Sequence, residues 1–572
     1  MGILMGRLYR LTVLAAFGPQ AWKGWLLYAT VLSLGFVGVW TSVFMIAWNK
    51  RFYDAVQQLD LATTLRELVV FFLITGLQVL LYIAGDYLGK RLRLRWRSTL
   101  TERALRVWTE KQAYWHLRPG LSPKAVENPD QRVAEDCRLF VDKLLLLSID
   151  LIENCVSIIS YVVVLWGLTE FVLTVPVAGQ VISVPHYLVW VAFLYVAVSS
   201  LITHVMGRQL KPLYFRQEKR EADFRYALVQ LRDNATEIAQ SGGEDAEARR
   251  LQDRFQGIRK NWFKLIRREA ILNLFHRPYF QTVLRIPMFF SLPAYFAGFV
   301  TFGGMMELSG AFGRVTQTLS WFIFNYKRLA ETAAVAERLD ELFASAKSPE
   351  PMPDVPQAIA RGHTADGTLQ VQGVTLQTPQ GRALVPVPDM TITPGSAVWI
   401  SGPSGSGKST LLAALSGLWS YGEGQINLPE TPIMFLPQKP YLLPESLGHA
   451  ACYPADPSDV DPDELRAVLS RIGLSHRLPL LAVTGPAALE GLSMGERQRL
   501  AMARVLLNKP KWVVFDEATS ALDATSEAEL LALIRRELPE ATILFVAHRE
   551  PFALAPFIKW RIGGDQEERK TA

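Results

Sequence analysis

Long runs of apolar residues constrain this chain more than any other feature of its sequence. A helix needs roughly 20 residues to cross about 30 Å of hydrocarbon. Five runs reach that length, at residues 22–48, 68–88, 144–168, 187–206 and 279–305. A sixth, at 308–329, carries Thr, Gln, Ser and Asn side chains, which a helix that lines a watery cavity tolerates. The sequence therefore predicts an α-helical membrane domain of six transmembrane helices over residues 1–344.

The basic residues between the apolar runs predict the orientation of this domain. Residues 90–118 contain nine Lys and Arg and residues 207–277 contain sixteen, whereas residues 170–186 contain none. Because cytoplasmic loops carry an excess of Lys and Arg, both basic segments and the N-terminus are predicted to be cytoplasmic. Their periodicity predicts helices that continue out of the membrane.

Composition agrees with a membrane protein and disfavours other classes. Half of the 572 residues are hydrophobic and 20% are charged, and the chain is too long for a single core. The net charge of +6 reflects the cytoplasmic segments, so no nucleic-acid partner is predicted. The three cysteines show neither a disulfide nor a zinc pattern. The N-terminal stretch lacks a clear cleavage site and predicts an amphipathic helix at the membrane surface.

A change of character after residue 344 predicts a domain boundary. The stretch SPEPMPDVP places four prolines within nine residues, so residues 345–357 are predicted to form a linker. Beyond it, short apolar runs (SAVWI, WVVF and TILFVA) alternate with helical patterns and turns. This alternation predicts an α/β domain with a largely parallel sheet over residues 358–572.

A glycine-rich loop in this second domain carries the chemistry of a phosphate site. An apolar strand runs into the loop and a helix follows it, so backbone N–H groups and the helix dipole would face the phosphates. Lys408 would reach the β and γ oxygens, and Ser409 would bind Mg²⁺. The residues predicted to bind nucleotide here are Gly402, Pro403, Ser404, Gly405, Ser406, Gly407, Lys408, Ser409 and Thr410.

A second motif, WVVFDE, supplies acidic groups. Four apolar residues predict a buried strand, at the end of which Asp516 would lie near the metal. Glu517 would orient or deprotonate the attacking water. With the phosphate loop upstream, the pair predicts a P-loop ATPase whose cofactors are ATP and Mg²⁺.

The whole second domain resembles the ATP-binding cassette (ABC) transporter family, whose motifs occur in the expected order. They lie at residues 402–410 (Walker A), Gln438 (Q-loop), 492–496 (signature, LSMGE), 513–517 (Walker B), 520–523 (D-loop) and His548 (switch histidine). The resemblance implies catalytic roles for Glu517 and His548 and a metal contact for Gln438 beside those of Ser409 and Asp516. It also implies nucleotide contacts for Gln438, Ser493, Gly495, Glu496 and Asp523.

In this family two cassettes pack head to tail, and the signature of one covers the nucleotide in the Walker A loop of the other. The resemblance therefore implies a homodimer of half-transporters of the exporter type. The sequence departs from the family in one place. Thr378 and Pro379 stand about where an aromatic residue usually stacks on adenine, and Trp399 or Tyr421 would be the first candidates to replace it.

Several stretches narrow the resemblance to one group of half-transporters. They are WNKRFYDAVQQLD, VENPDQRVAEDCRLF, FLPQKPYLLPESLGHAACYP and the LSMGERQR form of the signature. The group joins bacterial transporters for vitamin B12, bleomycin and antimicrobial-peptide uptake with peroxisomal fatty acyl-CoA transporters. It implies a multi-pass protein of the cell inner membrane, in preference to the peroxisomal membrane.

Few residues of the sequence indicate which solute is transported. Asp150, Asn154 and Ser157 form a polar stripe on the third run, with Glu153 adjacent. Such acids mark either a pathway or a paired structural charge, for which Arg285 could be the partner. A pathway would favour hydrophilic solutes such as cobalamin or cationic peptides over acyl-CoA. Two other readings are an ATPase that acts on nucleic acid, which the apolar runs argue against, and an ATP-gated channel or regulator.

Overall fold

The computed structural model describes residues 2–118, 125–170, 172–177, 180–347 and 358–563. The chain divides into two compact units. The helical unit comprises Met1–Glu110 and Asn128–Lys347, and the α/β unit comprises Lys111–Glu127 and Ser348–Ala572. The last helix of the helical unit extends to residue 347, into the first residues of the predicted linker. The rest of that linker, residues 348–357, lies outside the described residues.

Helices dominate the first unit and alternate with strands in the second. The helices are α1 (Gly2–Ala16), α2 (Ala21–Gln57), α3 (Leu61–Thr109), α4 (Ala113–His116), α5 (Pro129–Gln131), α6 (Cys137–Leu168), α7 (Tyr187–Gly207), α8 (Leu210–Asp233), α9 (Ala235–Gln240), α10 (Glu244–Phe296), α11 (Phe302–Leu319), α12 (Trp321–Lys347), α13 (Lys408–Leu415), α14 (Leu447–Cys452), α15 (Pro462–Arg471), α16 (Met494–Asn508) and α17 (Ala524–Glu537). The strands are β1 (Val172–Val177), β2 (Gln180–Pro185), β3 (Ala360–Thr364), β4 (Leu369–Gln377), β5 (Ala383–Pro386), β6 (Met390–Ile392), β7 (Ala397–Ser401), β8 (Gly422–Pro429), β9 (Ile433–Leu436), β10 (Trp512–Asp516), β11 (Thr542–Val546) and β12 (Ile558–Arg561).

The first four predicted apolar runs are helical. Among the described residues, four helices are long and apolar enough to cross a membrane: Ala21–Gln57, Leu61–His116, Pro129–Leu168 and Tyr187–Gly207. The basic segments continue as helices beyond the apolar runs, as predicted, and α3 alone contains 49 residues. The helical unit is therefore a membrane domain.

The fifth and sixth predicted runs need corrected bounds. The run at 279–305 is not one helix, because α10 ends at Phe296 and Gly298 takes a left-handed conformation with φ 76°. Helix α11 begins after Thr301, whose side chain accepts a hydrogen bond from the Gly304 N–H. The run at 308–329 is divided at Ser320, where α11 ends and α12 begins.

Hydrogen bonds in the helical unit hold α6 against α11 and α12. The Asp150 carboxylate accepts from the Trp321 indole N–H at 2.7 Å and from the Asn325 amide at 3.2 Å. The Asn154 amide donates to the Thr318 carbonyl at 2.9 Å. Most of the predicted polar stripe is thus engaged with the helices that follow. Within the described part of the chain, Arg285 forms no ion pair with Asp150.

The N-terminal segment is a helix, as predicted, and one of its faces packs on protein. Leu11 on this face is fully buried. Arg10 pairs with Asp340 of α12 at 2.7 Å. At the other end of α1, the Arg103 guanidinium donates to the Leu14 carbonyl at 2.7 Å, which satisfies a carbonyl that a helix end leaves free. Both α3 and α12 therefore hold α1.

The α/β unit contains the predicted parallel sheet. Its strand order is β12-β7-β11-β10-β9, and every neighbouring pair is parallel. The runs SAVWI, WVVF and TILFVA supply β7, β10 and β11, and all side chains of β7 and β11 are buried. Strands buried on both faces require such continuous apolar runs. A second sheet has the order β3-β8-β4-β5, with β6 paired to β4.

The short segment Lys111–Glu127, in the first third of the chain, belongs to the α/β unit. The sequence predicts that this segment continues the membrane domain, but α3 ends at Thr109 and Lys111 takes a left-handed conformation with φ 50°. The Trp115 indole N–H then donates to the Leu418 carbonyl at 3.1 Å. The Arg118 guanidinium lies 4.9 Å from the centre of the same ring. Because of these contacts, α4 is part of the second unit.

Candidate functional site

The glycine-rich loop joins β7 to α13 and has the shape of a phosphate cradle. Gly407 takes a left-handed conformation with φ 86° at the start of α13, which a residue with a Cβ rarely adopts. The Lys408 ammonium donates to the Gly402 and Pro403 carbonyls, both at 2.9 Å. Within the described residues, the buried Ser406 hydroxyl has no hydrogen-bond partner. The loop therefore holds a cation and a spare hydroxyl next to a helix N-terminus, which suits an anion.

Close packing explains why the loop starts with glycine. A Cβ on Gly402 would lie 2.2 Å from the Ile562 carbonyl oxygen and 2.9 Å from the Ser406 hydroxyl. Any larger residue would push the loop away from the strand that supports it. Ser409 follows on the first turn of α13.

Two residues form a candidate metal site at the end of β10. Asp516 is the last residue of β10, and the Ser409 hydroxyl on the first turn of α13 lies near its carboxyl. Burial and the neighbouring charge of Glu517 raise the pKa of Asp516, and Ser409 and Lys408 oppose the rise. A hydroxyl and a carboxylate are oxygen ligands of the kind that Mg²⁺ prefers, so this donor set fits the predicted metal.

The Glu517 carboxylate is held from two sides. One oxygen, Oε2, accepts from the Gln438 side-chain amide at 3.1 Å, and the other, Oε1, lies 3.1 Å from His548 Nε2. The backbone of Glu517 is left-handed, with φ 50°, and its N–H donates to the Val546 carbonyl. Such a conformation is costly for a residue with a Cβ, and it is common at functional sites. Three predicted residues therefore meet at one point.

The signature residues form the start of a helix rather than a loop. Ser493 caps α16 by accepting from the Glu496 N–H at 3.2 Å, and the Glu496 carboxylate accepts from the Ser493 N–H at 2.8 Å. This capping box satisfies two N–H groups at the helix start. A Cβ on Gly495 would lie 3.4 Å from the Ala521 carbonyl, so the helix start lies beside the D-loop.

Glu496, which the sequence predicts to contact nucleotide, also forms hydrogen bonds with residues of its own α/β unit. Its carboxylate accepts from Arg477 Nε at 2.8 Å and lies 2.8 Å from His476 Nε2. The hydrogen bond from Arg477, supported by those from Ser493 and His476, holds the pKa of Glu496 well below its usual range. Glu496 thus fixes the position of the signature.

Asp523, another predicted contact, caps α17. Its carboxylate accepts from the Ser526 N–H and hydroxyl, both at 2.8 Å. These two bonds lower the pKa of Asp523. A capping aspartate at a helix start is a stable arrangement, so Asp523 has a structural role in this chain.

The loop that lacks an aromatic residue is a tight turn between β4 and β5. The Thr378 N–H donates to the Arg382 carbonyl at 2.8 Å, and its hydroxyl accepts from the Arg382 N–H at 3.2 Å. The two aromatic candidates belong to the core, since Trp399 is 6% exposed and Tyr421 is 7% exposed. The structure therefore offers no support for either as a platform for adenine.

Sequence reasoning missed two residues that organise the site. Arg477 follows α15 in a stretch without a motif, so no local signal marked it. Gln498 is 1% exposed and hydrogen-bonds to the Q-loop and the D-loop. The sequence does indicate that Gln498 is buried. It precedes Ala501, Met502 and Val505 by three, four and seven residues, the spacing of one helix face, and that face of α16 is buried.

These elements define a class of protein. A phosphate loop, a carboxylate held by a glutamine and a histidine, and a capped signature helix form the nucleotide site of an ATP-binding cassette. In this chain the cassette is fused to a membrane domain. The protein is therefore an ABC transporter.

Comparisons with known proteins agree with this class. The family described as ABC transporter transmembrane region 2 matches residues 13–296, and the family described as ABC transporter matches residues 387–520. The chain is 32% identical over 525 residues to the inner membrane ABC transporter ATP-binding protein YddA of Escherichia coli, covering 92% of this chain and 91% of that protein. It is 25% identical over 505 residues to a lysosomal cobalamin transporter of Homo sapiens, covering 80% and 78%. The chain belongs to the ABC transporter family.

A solved structure supports the fold. The structure of a bacterial Atm1-family ABC exporter with ATP bound superposes with a TM-score of 0.76 at 19% identity, and the match covers 93% of each chain. The predicted fold class, a helical membrane domain of the exporter type followed by a P-loop α/β domain, is confirmed.

Replacing Glu517 with Gln is expected to leave ATP binding intact and to slow hydrolysis by about 10²–10⁴-fold, the usual loss when a general base is removed. Phosphate release and nucleotide binding would be measured on the same preparation. Glu550→Gln is the control, because Glu550 is an exposed residue whose carboxylate pairs only loosely with Lys559, at 3.4 Å. Unchanged turnover in the Glu517 variant would contradict the assignment.

Replacing Glu496 with Gln is expected to lower the thermal unfolding midpoint at neutral pH. A pKa lowered in the folded state gives stability that is present above the unfolded value, about 4.5. This stability is lost as the pH falls through the folded pKa. The difference from the wild type should therefore be constant near neutrality and shrink in acid. The exposed Glu490, changed to Gln, is the control, and an equal effect at both positions would argue against the Arg477 contact.

Proposed function

We propose that this protein drives solute transport across a membrane by hydrolysing ATP, as a homodimer of half-transporters. The observation that carries the proposal is the convergence of Gln438, Glu517 and His548 beside the phosphate loop. The Gln438 and His548 side chains both contact the Glu517 carboxylate, which would face the terminal phosphate of ATP bound in the loop.

In the proposed hydrolysis, Glu517 accepts a proton from the attacking water. Gln438 and His548 orient the carboxylate, so the proton is taken at a fixed point. The Lys408 ammonium, which donates to the Gly402 and Pro403 carbonyls in this structure, would donate instead to the β and γ phosphate oxygens. Ser409 and Asp516 would hold Mg²⁺, which when bound neutralises the charge that develops on the phosphates.

A shared site explains why the chain carries a signature as well as a phosphate loop. Helix α16 presents its capped N-terminus, where N–H groups and the helix dipole favour an anion. In the proposed homodimer, Ser493 and Gly495 of one chain cover the nucleotide of the other. The complete enzyme is then the dimer, with two composite sites.

The cell inner membrane is the proposed location, with the N-terminus and the cassette in the cytoplasm. The basic segments support this orientation, and the name of the Escherichia coli relative places that protein in the inner membrane.

Import of a hydrophilic solute, such as cobalamin or a cationic peptide, is the favoured activity. Glu153 supports it, since within the described residues its carboxylate has no hydrogen-bond partner, unlike that of Asp150. The Glu153 side chain lies against α2, where a Cβ on Gly35 would come within 1.9 Å of Oε1. A free carboxylate suits cationic or hydroxyl-rich solutes better than anionic acyl-CoA. The human relative is named as a cobalamin transporter.

Flux through sealed vesicles tests this function. Purified protein in lipid would be supplied with ATP and cobalamin, a cationic peptide or an acyl-CoA, with the Glu517→Gln variant as the inactive control. Uphill transport of one solute supports the proposal. Preference for acyl-CoA favours the lipid-type alternative, and downhill flux that needs only ATP binding favours a gated channel.

Replacing Glu153 with Ala is expected to impair transport at least about tenfold while basal ATP hydrolysis stays within about twofold. Asp150→Ala is the matched contrast on the same helix. It removes the acceptor of the Trp321 and Asn325 N–H groups, so we expect it to lower folding yield. If the Glu153 variant also fails to fold, the pathway role loses its support.

A mixed dimer tests the shared site. A Lys408→Ala chain lacks a working phosphate loop, and a Ser493→Arg chain lacks a working signature, so each homodimer has two broken sites. Together they should regain one intact site, which vanadate trapping of nucleotide would detect. If each chain closes its own site, the mixture traps nothing above either homodimer. Purification through two different affinity tags shows that the chains are paired.

A further inference from the structure

Gln498 is a buried amide that connects three nucleotide motifs. It lies on the second turn of α16, the helix that begins at the signature, and is 1% exposed. Its amide nitrogen donates to the Gln438 carbonyl at 3.1 Å and to the Ser520 hydroxyl at 3.2 Å. Its amide oxygen accepts from the Ala521 N–H at 2.9 Å. The signature helix, the Q-loop and the D-loop therefore share one side chain.

Two of the three partners of Gln498 are themselves hydrogen-bonded to Glu517, one at its side chain and one at its backbone. Gln438, whose backbone Gln498 holds, donates from its own side chain to Glu517. Ser520, the second partner, donates its N–H to the Glu517 carbonyl at 3.1 Å. A shift of α16 would therefore reach Glu517 by two routes, through the Q-loop and through the D-loop.

Packing alone does not require an amide at this position. The neighbouring side chains on this face of α16 are apolar and buried, among them Ala501, Met502 and Val505. A methionine of similar volume would fill the space, whereas a buried amide is tolerated only where its donors and acceptors are paired. The amide is thus explained by its partners.

We propose that Gln498 is a positioning residue that couples the two nucleotide sites of the dimer. The proposal rests on the shared site described above, in which α16 contacts the nucleotide of the partner chain while Gln438 and Glu517 act on the nucleotide of their own. When nucleotide binds against the signature, α16 is fixed in place. Through its hydrogen bonds, Gln498 then fixes the Q-loop and the D-loop relative to α16. The Gln438 side chain is thereby held where it hydrogen-bonds to the Glu517 carboxylate.

The first test is Gln498→Met in the full-length protein in lipid. We expect kcat for ATP hydrolysis to fall at least about tenfold, which corresponds to the free energy of one of the three hydrogen bonds that the variant loses, with KM for ATP within about twofold. The matched control is Asn508→Leu. Asn508 is also on α16 and donates to the Cys452 carbonyl at 2.9 Å, but it contacts no motif. It should lower thermal stability and leave kcat near that of the wild type.

A double-mutant cycle separates positioning from support of the fold. In a Gln438→Ala background the route through the Q-loop is gone and only the route through the D-loop remains, so adding Gln498→Met should lower kcat by clearly less than it does in the wild type. Effects that simply multiply would overturn the proposal, as would a loss of kcat in Asn508→Leu equal to that in Gln498→Met. If Gln498→Met does not fold, Gln498→Glu replaces it, because it keeps the acceptor for Ala521 and removes the donor to Gln438.

The mixed dimer of Lys408→Ala and Ser493→Arg chains distinguishes a failure of the Gln498 proposal from a failure of the proposed shared site. No trapping in the mixed dimer would reject the shared site whatever Gln498 does. Trapping there, together with multiplying effects in the cycle, would reject only the coupling role of Gln498.

Discussion

The parallel register of three strands is the constraint on which the nucleotide site depends. Phe515 of β10 lies beside Leu436 of β9 and Phe545 of β11, so the three strands end at the same edge of the sheet. The chain leaves each strand there, and Gln438, Glu517 and His548 follow within two residues of the strand ends. Hydrogen bonds between strands therefore bring together side chains that are far apart in sequence, and a slip of one residue would turn them to the opposite face.

The sequence allowed this site to be predicted because its parts are local. Each motif can be recognised from a few consecutive residues: a phosphate loop, an acidic pair after an apolar strand, and a histidine at a strand end. The contacts of Arg477 with Glu496 and of Gln498 with the Q-loop were not predictable in the same way. They depend on how α16 packs against the loops around it: the helical spacing marks Gln498 as buried, but no short pattern records which loops its amide contacts. Glu496 illustrates the difference, since its family motif suggested nucleotide while its contacts lie within its own unit.

In the helical unit, hydropathy predicted the first four helices and misplaced the ends of the last ones. A run of apolar residues measures average composition, but helices end at single residues. Gly298 and Thr301 interrupt an apolar stretch without changing its average, and Ser320 does the same between α11 and α12. The hairpin of β1 and β2 was also missed, although two stretches rich in β-branched residues surround a glycine there.

Asp150 and Glu153 show how environment separates two like residues. They lie three positions apart on α6, yet Asp150 accepts two N–H donors and Glu153 accepts none among the described residues. A carboxylate supplied with donors fixes the helices that provide them. A carboxylate without donors, in a membrane domain, carries a desolvation penalty. In the proposed transport, a cationic or hydroxyl-rich solute has the chemistry to supply the partner that Glu153 lacks among the described residues.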